Sequence, residues 1–192
     1  MSTNIPELVE RIGRDLQTLE NALKDSREVQ IKIKFPHGVL RTALHFREQY
    51  RFIRSKTLQR NIAYTLILSD VYRWMLNRID LKGTAREMLI KEGVCLMGNL
   101  AESVSKDALS GICGKNAKYK ARIKKLHELR VIDDKLKSDL DWLWECRNRE
   151  HLFLVEECEY GHYKLEHYNK AILTIRALRD NLDKYFRESQ EL

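Results

Sequence analysis

Hydrophobic residues recur every three to four positions along most of this chain, which is the period of an amphipathic α-helix. The exception is the stretch 29–35, where Val29, Ile31, Ile33 and Phe35 alternate with polar residues as in a β-strand. A single strand has no pairing partner, so we expect an extended connector there, or an edge that a second chain could pair with. The remaining pattern predicts helices over residues 5–27, 39–54, 58–78, 85–109, 118–130, 136–147 and 165–188, with the second and third able to join.

The helix over 85–109 has the broadest apolar face and is expected to lie at the centre of the fold. Thr84 and Glu87 have the spacing of a capping box at its start. Asp133 is expected to be the N-cap of the helix over 136–147. Together these features predict an all-α, up-and-down bundle of about six to seven helices. The apolar stripe of the central helix is Ile90, Val94, Met97, Ala101, Val104 and Ala108.

Length and composition are those of a folded soluble domain. The chain has 192 residues, 43% of them hydrophobic and 33% charged, so we expect one domain over 1–192. No apolar run is long enough to span a bilayer, and no membrane partner is expected. The first ten residues contain acids and no apolar segment, so they do not predict a signal peptide, and the expected compartment is the cytoplasm.

The cysteines and histidines do not predict a metal centre. Cys95, Cys113, Cys146 and Cys158 show no two-residue spacing of a zinc or redox motif. The six histidines are scattered along the chain. We therefore expect reduced cysteines that serve packing, no metal and no cofactor.

The net charge of +7 is concentrated in two blocks. Residues 27–60 carry nine Lys/Arg against Glu28 and Glu48, and residues 113–130 carry seven against Glu128. Such blocks suggest a polyanionic partner, although a basic helix face can also simply be solvated. The residues predicted to contact nucleic-acid phosphates are Arg47, Arg51 and Arg54 in the first block and Lys118, Arg122 and Lys125 in the second.

The segment 142–152 is the most informative part of the sequence. The apolar stripe of its helix continues in phase into Arg147 and then His151. If the helix persists, these two side chains are neighbours on its inward face. The alternative is that the helix ends near Asn148 and that they cap it or reach solvent.

An arginine beside a histidine suits the cleavage of an RNA phosphodiester bond. The guanidinium matches phosphate geometry and can stabilise the added negative charge, while the imidazole can act as acid or base near neutral pH. No metal is required for this chemistry. Two-fold symmetry could bring a second pair into the same cleft.

Three stretches resemble the HEPN superfamily (higher eukaryotes and prokaryotes nucleotide-binding). Trp142–Leu152 resembles its Arg/His motif, 123–136 the helix-turn-helix that precedes the motif, and 88–102 its long central helix. The resemblance covers an HEPN-like core of about 58–186, preceded by an N-terminal helix and connector over 1–57. It implies a metal-independent ribonuclease with a composite site at a homodimer interface, in a toxin–antitoxin or antiviral defence role.

Carried over onto this sequence, the resemblance gives Arg147, Asn148 and His151 catalytic positions. The family places four to six residues between its arginine and histidine, and this chain has three. Asn99 and Glu102 on the central helix could orient Arg147 or His151, or could be solvated surface residues.

Three functions remain open from the sequence. The first is an RNA-cleaving homodimer. The second is a non-catalytic HEPN-like interaction module, such as an antitoxin or a defence-complex subunit with a protein partner, in which Arg147 and His151 hold an interface. The third is a helical nucleic-acid-binding protein that uses only its basic residues.

Overall fold

The computed structural model describes residues 4–24, 32–114, 116–149 and 161–189. Within these ranges the chain forms seven α-helices and no named strand, which confirms the prediction of an all-α bundle of six to seven helices. None of these helices is long and apolar enough to cross a membrane. The helices are α1 (Ile5–Lys24), α2 (Ala43–Gln49), α3 (Lys56–Arg78), α4 (Gly83–Ala108), α5 (Tyr119–Glu128), α6 (Asp134–Asn148) and α7 (Leu165–Glu188).

The chain divides into two compact units, Met1–Pro36 and His37–Leu192. The first unit holds α1, which has no buried residue and whose Ile5 and Val9 are exposed. Residues 32–36 have no regular secondary structure, as expected for a connector, while 29–31 lie outside the described residues.

In the second unit, α4 is the central helix and packs against α3, α5, α6 and α7. All six residues of its predicted apolar stripe are buried, which confirms the prediction of a central helix. Because an α-helix buried on most sides must present apolar side chains around most of its circumference, the breadth of this stripe was a reliable signal.

Side-chain caps fix the start of several helices. Asp133 accepts a hydrogen bond from the backbone N–H of Leu136 at 2.7 Å, which confirms it as the N-cap of α6. Thr42 and Ser55 cap α2 and α3 in the same way.

The predicted capping box at the start of α4 is wrong. The helix begins one residue before Thr84, at Gly83, whose φ of 59° lies in the left-handed region that favours glycine. Thr84 is therefore inside the first turn, and the N-cap is Lys82, which makes no side-chain cap. The carboxylate of Glu87 instead accepts a hydrogen bond from the backbone N–H of Gly161 at 2.6 Å.

The helix predicted over 39–54 is shorter than expected and does not join the next helix. It ends at Gln49, and Tyr50 has non-helical φ and ψ of −120° and 38°. Tyr50 and Ile53 are nevertheless buried, since the turn after α2 carries them into the core.

Candidate functional site around Arg147

The last turn of α6 holds two of the three residues predicted to be catalytic, Arg147 and Asn148. The helix ends at Asn148 with Arg149 as its C-cap, as the second of the two alternatives expects, but Arg147 does not cap the helix and instead contacts Asn99 and Glu102 of α4. Asn148 is half-buried in the final turn. His151 lies outside the described residues, and its role stays a prediction.

Arg147 is held by three groups from two helices. Its Nε donates a hydrogen bond to Oδ1 of Asn99 at 2.9 Å, and its Nη2 lies 3.4 Å from Oε2 of Glu102, both on α4. Its guanidinium carbon lies 5.0 Å from the ring centre of Trp144, one turn earlier on α6. The side chain is 25% exposed, so the guanidinium is oriented by the protein and still reaches solvent.

Gly98 allows Arg147 to lie against α4, because glycine has no side chain on the α4 surface that faces Arg147. A Cβ at residue 98 would lie 2.6 Å from Cβ of Arg147 and 3.2 Å from the carbonyl oxygen of Leu143. A glycine therefore allows the two helices to approach closely at this point.

The residues that contact Arg147 also contact Tyr119 and Arg122 of α5, and these contacts form a ring that returns to Glu102. Trp144 stacks on Tyr119 of α5 with ring centres 4.4 Å apart and planes 10° apart. The guanidinium carbon of Arg122 lies 6.0 Å from the ring centre of Tyr119, and its Nη2 returns to Oε1 of Glu102 at 3.8 Å. The carboxylate of Glu102 is thus shared by two arginines, which leaves a net positive charge.

The placement of Arg122 corrects its predicted role. It is 5% exposed, its Nη1 donates to the carbonyl of Ala117, and its Nε lies 3.5 Å from Oγ of Ser105. A buried guanidinium cannot contact the phosphates of a nucleic acid at the surface. The residue faces inward because α5 begins at Tyr119 and packs against both α4 and α6.

Burial keeps two ionisable side chains of this region, Tyr119 and Cys146, neutral. It raises the pKa of the Tyr119 hydroxyl, which donates a hydrogen bond to the carbonyl of Leu140 at 3.2 Å. Burial also raises the pKa of the Cys146 thiol. Neither group is therefore prepared to act as a nucleophile at neutral pH.

The predicted ridge of Arg47, Arg51 and Arg54 does not form on one helix. Only Arg47 lies in α2, because that helix ends at Gln49. The guanidinium of Arg54 donates to the carbonyls of Asp107 and Ser110 at 3.0 and 2.6 Å and so closes a loop.

Arg47 and Arg51 instead meet Lys56 and Arg60 of α3 around a shallow cavity of about 320 Å³. The side chain of Arg51 is 74% exposed. In the second basic block Lys118 is exposed, and Lys125 is 39% exposed and 3.4 Å from Glu128. Exposed basic residues of both blocks therefore remain available to phosphates.

Sequence reasoning missed the aromatic part of this site. Trp144 and Tyr119 each precede their arginine by three residues, and this spacing places a ring and a guanidinium on one helix face. Those two pairs were the available signal. The stacking between them depends on how α5 packs on α6, which local spacing does not reveal.

Within the described ranges, no group of three His, Cys, Asp or Glu could hold a metal ion. Cys95, Cys113 and Cys146 form no disulfide. Comparison with protein-family models, with curated proteins and with solved structures gives no match to this chain.

Proposed function

We propose that this chain is a metal-independent endoribonuclease that acts as a homodimer, with Arg147 stabilising the transition state and His151 transferring protons. The observation that supports this proposal is the fixed position of a partly exposed guanidinium. Arg147 is oriented by Asn99, Glu102 and Trp144 and remains 25% exposed.

In the proposed reaction, the 2′-hydroxyl of RNA attacks the adjacent phosphorus. One imidazole takes the proton of that hydroxyl, and the 5′-oxygen leaves with a proton from an acid. The products are a 2′,3′-cyclic phosphate and a 5′-hydroxyl. The added negative charge on the non-bridging oxygens is where a fork of N–H donors gains most.

The fixed orientation of Arg147 matters for the rate of such a reaction. A guanidinium that is already in place needs no reorganisation when charge develops on the phosphate. Arg122 strengthens the positive potential, because Glu102 alone faces both guanidiniums. A second protomer would supply a second Arg147 and a second His151 to the same cleft.

The exposed basic residues fit an RNA substrate. Arg51, Lys56 and Arg60 lie around one cavity, and Lys118 lies at the start of α5. Contacts of this kind bind the sugar–phosphate backbone without reading sequence, and they weaken steeply with salt.

A second candidate is the non-catalytic interaction module, and the Glu102 ion pairs favour it. Arg147 and Arg122 tie α6 and α5 to the same carboxylate on α4. Arginines with this role would hold the bundle together and present a surface for a partner protein. Replacing Arg147 would then change assembly and not catalysis.

The test uses the full chain and single-stranded RNA with a fluorescent 5′ end, with and without EDTA. We expect cleavage in both conditions and no cleavage of the 2′-O-methyl RNA. Arg147→Ala and His151→Ala should each lower the rate about 100-fold or more while the dimer persists in light scattering. Arg86→Ala, which removes an exposed arginine elsewhere on α4, is the matched control and should leave the rate unchanged.

Cleavage retained by both variants would contradict the proposal. No cleavage by the unaltered chain, together with loss of the dimer in Arg147→Ala, would support the interaction module instead.

A further inference from the structure

A cavity of about 410 Å³ opens between α2, α3 and α7, away from the contacts of Arg147. Its volume lies in the range of small-molecule sites. Phe46, Tyr50 and Met97 contribute to its lining and are each at most 2% exposed. Ile172 and Ile175 of α7 extend the apolar surface. The cavity therefore offers an apolar compartment to part of a ligand.

The residues that line the cavity carry more positive than negative charges. Four arginines face a single carboxylate, that of Asp70. Asp70 is occupied by Arg41, whose Nε and Nη2 donate to its two oxygens at 3.0 and 2.6 Å. The excess positive charge favours an anionic ligand. The four arginines are Arg41, Arg73, Arg176 and Arg179.

Two of these arginines have donors to spare. Arg73 makes one ion pair, to Asp70 at 3.4 Å, and its side chain is 46% exposed. Arg176 is exposed, and no described residue forms an ion pair or a hydrogen bond with it. Arg179, by contrast, is bound to Gln49 and Asp180.

Arg73 and Arg176 come from different helices, α3 and α7, and act on the same region. Both lie close enough to the Tyr168 hydroxyl to lower its pKa, although burial outweighs them and raises it. That hydroxyl donates to the carbonyl of Ser69, on the cavity wall. Arginines that line one cavity from two helices offer N–H donors to a head group with several acceptor oxygens.

We propose that this cavity binds a small organic phosphate, with the apolar body against Phe46 and Met97 and the phosphate between Arg73 and Arg176. A phosphate has three terminal oxygens and can accept from two arginine forks at once, whereas a carboxylate has two. The site does not rest on ribonuclease activity and shares no residue with the Arg147 contacts.

The test is NMR of the full chain with ¹³C-labelled methionine methyl groups. The chain has four methionines, and of the three that the structure describes only Met97 lines the cavity, so its methyl signal reports binding at this place. Phenyl phosphate, inorganic phosphate, phenol and benzoate are the probes. Phenyl phosphate should shift the Met97 signal and leave Met88 of the same helix unchanged, with an affinity at least about tenfold above that of the other three probes.

Arg176→Gln removes the arginine that no described residue pairs with and should weaken phenyl phosphate binding about tenfold, as for the loss of a charge-assisted hydrogen bond. Arg86→Gln is the matched control and should bind as the unaltered chain does. A Met97 signal that does not move, equal shifts at Met88, equal affinity for inorganic phosphate or benzoate, or an unchanged affinity in Arg176→Gln would each overturn the proposal.

Discussion

Two carboxylates in this bundle are each shared by two arginines, and they differ in depth. Asp70 on α3 is 1% exposed and lies 2.6 Å from Arg41 and 3.4 Å from Arg73. Glu102 on α4 is 35% exposed and lies 3.4 Å from Arg147 and 3.8 Å from Arg122. The shortest of the four contacts is the one between the buried carboxylate and Arg41.

The depth of each carboxylate decides the role of its arginines. Asp70 also accepts a hydrogen bond from the backbone N–H of Arg41 at 3.0 Å, so it anchors the chain before α2 to α3. The carboxylate itself is removed from water, so its charge depends on the hydrogen bonds that it accepts from Arg41. Solvent reaches both Glu102 and Arg147 and screens their ion pair, so a phosphate could compete for Arg147 at low cost. The comparison therefore separates Arg41, which anchors the fold through Asp70, from Arg147, which can bind a ligand beside Glu102.

The largest expected effect comes from breaking the buried pair. Asp70→Asn keeps the size of the side chain but removes the buried charge that accepts three hydrogen bonds from the half-exposed Arg41. We expect the free energy of unfolding to fall by about 2–3 kcal/mol, the range for losing hydrogen bonds to a charged group. Urea denaturation followed by circular dichroism measures this. Asp80→Asn is the matched control, because its ion pair with Lys82 is 82% exposed on both sides and should contribute almost nothing.

Acid titration checks that the charge is responsible. Burial would raise the pKa of Asp70, but the hydrogen bonds and charge of Arg41 outweigh it and hold the pKa below 3.8. A lowered folded-state pKa stabilises the fold above pH 3.8 and is lost as pH falls through the folded value. The difference between the unaltered chain and Asp70→Asn should thus be full at neutral pH and shrink below pH 3.8. A difference that stays constant in acid would attribute the loss to packing.

A smaller effect is expected at Gly98, where α4 and α6 approach each other closely beside Arg147. Gly98→Ala would place a Cβ 2.6 Å from Cβ of Arg147, so α4 and α6 must separate. We expect a loss of about 1–2 kcal/mol, because overpacking outweighs the gain in helix propensity. Gly13→Ala is the control, since a Cβ there meets nothing within 4 Å and alanine favours α1. Equal stability of Gly98→Ala and the unaltered chain would show that the two helices are not in close contact.

Sequence periodicity predicted the helices because it reports local burial. The stripe of α4 and the Asp133 cap were both found, since each depends on residues within one helix. The failures at Thr84 and at 50–54 share a cause. In both places the helix boundary depends on where the chain turns between two helices. Gly83, in the left-handed region, starts α4 earlier than the local pattern predicts, and α2 ends before the buried Tyr50.

The candidate site was predictable only in part. Arg147 was selected by its phase in an apolar stripe, and Asn99 and Glu102 by their polarity on the central helix; the structure brings these three into contact. Arg122 was assigned to a surface because its charge suggests one. It is buried against Ala117, five residues earlier, and against Ser105 of α4, and the second contact depends on helix packing that the sequence does not reveal.

The substitution with the smallest expected effect on stability is the most direct test of the difference between Glu102 and Asp70. Glu102→Gln removes the charge shared by Arg147 and Arg122 and keeps an acceptor. Because Glu102 is 35% exposed and both distances exceed 3.3 Å, we expect a loss of about 0.5 kcal/mol in urea denaturation. If Arg147 stabilises a cleavage transition state, RNA cleavage should still fall, since the guanidinium loses part of its fixed orientation. A loss of stability as large as that of Asp70→Asn would show that Glu102 is a structural anchor too, and Arg147 would then have no freedom to bind phosphate.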